Sequence, residues 1–261
     1  MTFPRPHLFE FEDQPWLPGI VRDFATEYLC FIQTIFRLHR PIVPLLAEVL
    51  RITNQRQIID LCSGGGGPVL EIQGALSAAG LNISITLTDR FPNSRAFRQI
   101  NEASEKQIRF VPESVDARSV PDQLDGLRTM FNSFHHFRDS DARRILRDAV
   151  DAREPLAIFE YAERAVPIVL LTMILTPFLV ALATPFIRPF RWSRLFLTYV
   201  LPLIPLTCWW DGVVSHLRAY TVEELKTLTK NLLSGSYSWH AGTVALPRSA
   251  GHLTYLLGRS R

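Results

Sequence analysis

An apolar run, Ile58–Ile59–Asp60–Leu61, opens directly into Cys62–Ser63–Gly64–Gly65–Gly66–Gly67–Pro68. Glycine enters left-handed backbone without steric cost, and Pro68 suits the first turn of a helix, where its missing N–H is not needed. The order predicts a strand, a tight turn that lets the backbone come close to a ligand, and a helix whose N-terminus offers free N–H groups. Few folds begin a parallel sheet in this way.

The stretches that follow keep the same rhythm. Short apolar runs at 57–62, 83–89, 107–113, 127–132 and 155–161 alternate with helical patterns at 68–79, 94–103, 119–124 and 140–152. Strands separated by crossover helices imply a parallel sheet covered on both faces. A last helix at 221–233 and strands at 236–243 and 252–258 complete a seven-stranded, mostly parallel α/β sheet of Rossmann-like type. Ahead of it, Ile20, Phe24, Tyr28, Phe31 and Ile35 recur at helical spacing, and Pro41 and Pro44 end that helix and start another. The chain divides into an N-terminal helical segment (1–50), a nucleotide-binding core (51–164), an apolar helical insert (165–220) and the C-terminal part of the core (221–261).

Open α/β sheets bind ligands at the carboxyl ends of their strands. Polar residues stand at four successive ends: the Asp60–glycine turn, Asp89, Asp116 and Asn132. Asp89 ends the second strand about one βαβ unit after the turn, where a carboxylate can accept both hydroxyls of a ribose. A dinucleotide-binding oxidoreductase is the alternative, but contiguous Gly64–Gly67 is not Gly-x-Gly-x-x-Gly.

This constellation resembles the class I S-adenosylmethionine (SAM)-dependent methyltransferases, over residues 57–161 and more loosely over 220–259. The family's acidic residue followed by Gly-x-Gly-x-Gly matches Asp60, Gly64 and Gly66, with Cys62 where the family has its first glycine. The resemblance implies SAM as cofactor, with Asp60, Cys62, Gly64, Gly65 and Gly66 around its methionine part. It also puts Asp89 and Arg90 at the ribose, Asp116 and Ala117 at the adenine, and Asn132 beside the sulfonium. Phe131–Asn132–Ser133–Phe134–His135–His136 looks like the fourth motif of the small-molecule members.

Catalytic candidates are His135 and His136 after the fourth strand, Glu160 at the end of the fifth, and Asp211 at the close of the insert. Methyl transfer is an in-line displacement dominated by positioning, so a base is not obligatory. No metal is expected, because Cys30, Cys62 and Cys208 lack ligand spacing and form no disulfide framework. The balance of 28 basic against 25 acidic residues, without a basic run, gives no reason to expect nucleic acid. Residues 1–10 lack the apolar core of a secretory signal, so a cytoplasmic location is expected.

The insert is the greasy part. Residues 166–187 carry no charge and 195–210 add a second apolar run, with Arg188, Arg191, Trp192 and Arg194 between them. Four prolines and the positive-inside tendency argue against a transmembrane hairpin. The reading favoured is a membrane-surface cap with the three arginines among headgroups and a hydrophobic small-molecule or lipid acceptor. The alternatives are a soluble enzyme whose insert is a lid or homodimer interface, and a SAM-binding interaction protein without turnover.

Overall fold

The computed structural model describes residues 5–232, 237–246 and 251–260. In chain order the elements are α1 (Gly19–Ile35), α2 (Ile42–Thr53), β1 (Gln57–Asp60), α3 (Val69–Ala78), β2 (Ser84–Leu87), α4 (Ser94–Ala103), β3 (Ile108–Phe110), β4 (Leu127–Phe131), α5 (Asp139–Ala152) and β5 (Leu156–Glu160). The insert supplies α6 (Val166–Ala183), α7 (Trp192–Tyr199) and α8 (Leu203–Arg218). The chain then returns through α9 (Val222–Thr229), β6 (Tyr237–Ala245) and β7 (His252–Ser260).

The strands form one sheet in the order β3-β2-β1-β4-β5-β7-β6. β1 to β5 pair in parallel, while β7 runs antiparallel between β5 and β6. This is the seven-stranded, mostly parallel α/β sheet expected from the sequence. Successive side chains of a strand point to opposite faces. Ile58 accordingly joins the core under α2, α3 and α4, with Leu46, Ile72 and Phe97, while Ile59 joins the core under α5 and α9, with Ile145 and Leu228. The parallel order reverses at β1, so its carboxyl end and that of β4 flank the crevice where such sheets bind ligands.

The expected elements shift at three places. α1 starts at Gly19, and it buries Val21, Phe24, Ala25 and Tyr28 while Ile20 and Ile35 face solvent, so the apolar stripe is rotated from the one read in the sequence. Residues 119–124 form turns instead of a helix. Pro121 pushes Val120 away from helical backbone, and the Val120 N–H donates to Asp148 Oδ2. The N-terminal segment is not helical up to Leu17; residues 5–10 run without regular structure into a turn at 11–14, and this strap lies across the start of α5 and the body of α8. Position 233 of the last helix and position 236 of the sixth strand lie outside the described residues, as do residues 1–4.

The insert folds back on the core. α6 packs along α8, and its C-terminal end with the loop after it buries Val180, Ala183 and Ile187 against Phe24 and Tyr28 of α1. Pro177 sits inside α6 and, having no N–H, leaves the Met173 carbonyl without its helical donor. The Trp209 indole of α8 donates to that carbonyl at 2.9 Å. The loop after α6 also overturns the expected headgroup arginines. Arg194 is 1% exposed and donates to Glu27 at 2.6 Å, Arg191 pairs with the same carboxylate, and only Arg188 faces solvent.

Candidate active site

The glycine turn is built from the bottom of β1. Asp60 is buried, and its carboxylate accepts the Ser63 hydroxyl at 2.6 Å and the Thr129 hydroxyl of β4 at 2.8 Å. It therefore ties the turn to the neighbouring strand. Burial pushes its pKa up to about 7, against the pull of the two hydroxyls. Cys62 adopts a φ of +57°, the left-handed backbone for which the resembled motif uses glycine, and Gly64 and Gly66 follow at +55° and +92°. The conformation of the motif survives the substitution. Burial, with Asp89 and Asp60 nearby, raises the Cys62 thiol well above its ordinary value, so it stays protonated and is not a nucleophile.

Asp89 faces the turn from the end of β2. One of its oxygens accepts the Gly64 N–H at 2.8 Å and the other the Phe91 N–H at 2.7 Å. Asp116 is gripped by Arg118 through Nε and Nη2, at 2.9 and 2.6 Å to its two oxygens, and these bonds hold its pKa below the ordinary value. Asn132 sits in left-handed backbone at φ +50°, and its side-chain oxygen accepts the N–H groups of Tyr161 and Ala162 at 3.1 Å each. That pins the end of β4 to the end of β5.

These residues converge on one cavity of about 270 Å³. Asp60, Cys62, Gly64, Gly65, Asp89, Arg90, Asp116, Ala117 and Asn132 all line it; of the cofactor positions expected from the sequence, only Gly66 stands behind the wall. A Cβ at Gly66 would come within 2.0 Å of Ile100, so this glycine serves the packing of α4 under the turn.

The catalytic candidates divide. His136 lines the cavity; His135, Glu160 and Asp211 do not. His135 is 1% exposed, and its Nδ1 meets the Glu160 carboxylate, whose other oxygen accepts the Phe134 N–H at 2.6 Å. Asp211 accepts the N–H groups of Phe11 and Glu12 at 2.7 and 3.0 Å and so anchors the strap. Burial opposes charge on His136, but Glu10 and Asp13 outweigh it and lift the imidazole to about 10. His136 is thus a cation at neutral pH rather than the free base expected of it.

Sequence reasoning missed the strap. Glu12 and Asp13 line the cavity, with Arg22, Thr26 and Gln33 of α1 beside them. Burial and Asp211 push the Glu12 carboxyl upward. Glu10 is buried behind the wall and pairs with Arg218 at 2.9 Å, and Arg218 also reaches Asp13 at 3.0 Å. The only local signal was the acidic run Glu10, Glu12 and Asp13 interleaved with Phe9 and Phe11, a pattern with several other uses.

No protein-family model matches the chain, and no curated protein matches it. Solved structures do. The plantazolicin methyltransferase BpumL in complex with SAH superposes with a TM-score of 0.53 at 12% identity, covering 96% of this chain and 93% of that one. The S-adenosylmethionine-dependent methyltransferase SibL, in its apo form, gives a TM-score of 0.52 at 14% identity, with 98% and 64% covered. An O-methyltransferase family protein from Burkholderia thailandensis gives 0.47 at 16% identity; the chain spans 58% of its length. At these identities the likeness establishes the fold, and the chain has that of the SAM-dependent methyltransferases.

Proposed function

We propose that the chain is a SAM-dependent methyltransferase acting on a hydrophobic small molecule or lipid at a membrane surface. The observation that carries the first half is the meeting of the glycine turn, Asp89, Asp116 and Asn132 on one cavity at the carboxyl ends of β1 to β4. The donor set fits SAM. The turn lets backbone approach the methionine part without a Cβ in the way, and each Asp89 oxygen keeps a lone pair for a ribose hydroxyl beyond the one its N–H partner uses. Asp116, held ionised by Arg118, would accept the adenine amino group; its position on the cavity wall supports that reading. SAM supplies an electrophilic methyl on its sulfonium. The chain's contribution is to hold the acceptor in line with it and to keep water out.

The charge on His136 makes it a positioning group rather than a base. Glu12, on the cavity wall with its carboxyl pushed up to about 8 by burial and Asp211, can take a proton from an acceptor hydroxyl only in the fraction of chains in which it is ionised, a fraction that grows as pH rises toward 8. His135, Glu160 and Asp211 hold the strap and the 3-10 turn Phe134–His136 that carry these two.

The second half rests on the insert. The most apolar stretch of Val166–Phe186 has a mean hydropathy of 2.5, yet only 11% of it is buried. Phe178, Leu182, Phe186, Trp192 and Val200 face outward together with the outer side of α6 and α7. Large exposed apolar patches mark contact surfaces. Both ends of α6 are tied to the body, so the insert lies along the protein and meets lipid with one side, in the manner of a monotopic helix.

Calorimetric titration with SAM and SAH tests the cofactor half. The unmodified chain should bind both, and Asp89→Ala should weaken binding by on the order of 2 kcal/mol, about thirtyfold, in a protein that remains folded by circular dichroism. Equal affinity in the folded variant would remove the ribose assignment.

A further inference from the structure

Behind the cavity wall, the strap and the 3-10 turn Phe134–His136 bring together three groups that sequence spacing keeps far apart. Glu10, His135 and His136 offer one carboxylate and two imidazoles whose ligand atoms all lie within 4.8 Å of one another. Glu10 Oε2 stands 3.4 Å from His136 Nδ1, and Glu10 Oε1 stands 3.8 Å from His135 Nε2. Ligand atoms around a tetrahedral ion with bonds of about 2.1 Å are separated by about 3.4 Å, so a side-chain adjustment of about an ångström brings one carboxylate oxygen and the two imidazoles onto a zinc ion.

Two further observations point to a ligand. His135 Nε2 is buried without a hydrogen-bond partner on a residue that is 1% exposed, and it faces Glu10 Oε1, whose one close contact is the Arg218 guanidinium at 2.9 Å. Buried polar atoms without partners are uncommon and call for an ion, a water or a function. The other nitrogen of His135 is held by the Glu160 carboxylate. That outer bond fixes the tautomer and aims Nε2 inward, which is how metal-binding histidines are commonly oriented. Asp13 Oδ1, 2.8 Å from His136 Nδ1, is available as a fourth ligand.

Charge allows it. The carboxylates of Glu10, Asp13 and Glu160 share this pocket of the core with the Arg218 guanidinium, which touches Glu10 and Asp13. With the His136 imidazolium beside it, that makes two cations against three carboxylates, and a divalent ion that takes the place of the His136 proton brings the group to balance. Two imidazoles and hard oxygen donors, without a thiolate, suit zinc or a neighbouring first-row divalent ion rather than calcium or magnesium.

We propose that Glu10, His135 and His136 bind one Zn²⁺, with Asp13 as the fourth ligand, and that the ion staples the N-terminal strap to the 3-10 turn beside the cavity. The ion displaces the proton between His136 Nδ1 and Asp13, which passes to solvent, so in the zinc-loaded chain the positive charge beside the cavity is the ion's and no longer the imidazolium's. The proposal does not depend on methyl transfer, and its test reads metal rather than turnover.

The full chain, stripped with chelator and confirmed folded, is titrated with Zn²⁺ and separately with Co²⁺ as a spectroscopic probe. One ion per chain is expected, with cobalt d–d absorption of tetrahedral intensity and slower proteolysis within residues 5–14. Glu10→Gln and His135→Gln should each lower affinity by a hundredfold or more, and Glu160→Gln, which removes only the outer bond, by ten- to a hundredfold. X-ray absorption of the unmodified zinc-loaded chain should show nitrogen and oxygen neighbours including two imidazoles, a readout that holds even where a variant does not fold. A folded chain that takes up no ion overturns the proposal. So does sulfur in the ligand shell, or binding that the folded variants leave unchanged.

Discussion

All five residues of β5, Leu156 to Glu160, are buried, whereas of the eighteen residues of α6 only Val180 and Ala183 are. Yet α6 is the more apolar of the two. A central parallel strand is covered on both faces by crossover helices, so its hydrophobic residues are consumed by the fold. α6 meets α8 along one side and α1 at one end, and the remainder of its surface is left for something other than this chain. The same residue types therefore stabilise the protein in one region and specify a contact in the other.

The contrast is broken most directly by truncating one phenylalanine in each region. Phe159→Ala, in the sheet core, should cost about 3–5 kcal/mol of unfolding free energy in denaturant titration. Phe178→Ala, 71% exposed on α6, should change it by less than about 0.5 kcal/mol. Comparable losses would mean that the outer side of α6 is covered within the protein.

A vesicle flotation assay sharpens the second half. Replacing Phe178, Leu182 and Trp192 together by serine should weaken binding to uncharged phosphatidylcholine vesicles by at least about a hundredfold, since each buried apolar side chain contributes roughly 1.5–3 kcal/mol. Salt should matter little, because Arg191 and Arg194 are occupied by Glu27. Binding that requires anionic lipid and disappears in salt would put the contact on charge instead.

The sheet region has its own pH signature. Asp60 has a folded pKa of about 7 against an ordinary 3.8, so its contribution to stability is complete below about 3.8 and is lost as pH rises through 7. Unfolding free energies between pH 4 and 7 should therefore fall more steeply for the unmodified chain than for Asp60→Asn, by about 1.4 kcal/mol per pH unit at most. Parallel curves would show that Asp60 is not the titrating group.

The smallest effect is expected within the insert. Trp209→Phe removes the donor to Met173 and should cost about 1 kcal/mol, together with faster amide exchange around Pro177. An unchanged exchange pattern would leave the carbonyl beside Pro177 satisfied in some other way.

The two regions also differ in how far the sequence discloses them. The glycine turn, Asp89, Asp116 and Asn132 were legible because each follows its own strand, and strand ends are set by local pattern. Even Cys62, the departure from the resembled motif, lies within the same turn and keeps its backbone. Arg194 was visible as a charge between apolar runs, but Glu27, 167 residues earlier, decides that it is buried. The strap failed for the same reason: no local pattern tells that Phe11 and Glu12 will meet a carboxylate 200 positions later. His136 was placed correctly at the end of β4, yet its charge state depends on Glu10 and Asp13 and so on that same distant closure.

The reach of the strap has a consequence in time. A chain synthesised at 5–20 residues per second needs roughly 10–40 s between the emergence of Phe11 and that of its partner Asp211. For about the last quarter of that interval β1 to β5 and their glycine turn are already available, whereas Phe9 and Phe11 have no Trp210 to pack against. The nascent protein therefore carries a nucleotide crevice without its far wall and a strap with exposed phenylalanines. Whatever first binds there on the ribosome meets an open groove, and the enclosed chamber belongs only to the chain that has reached α8.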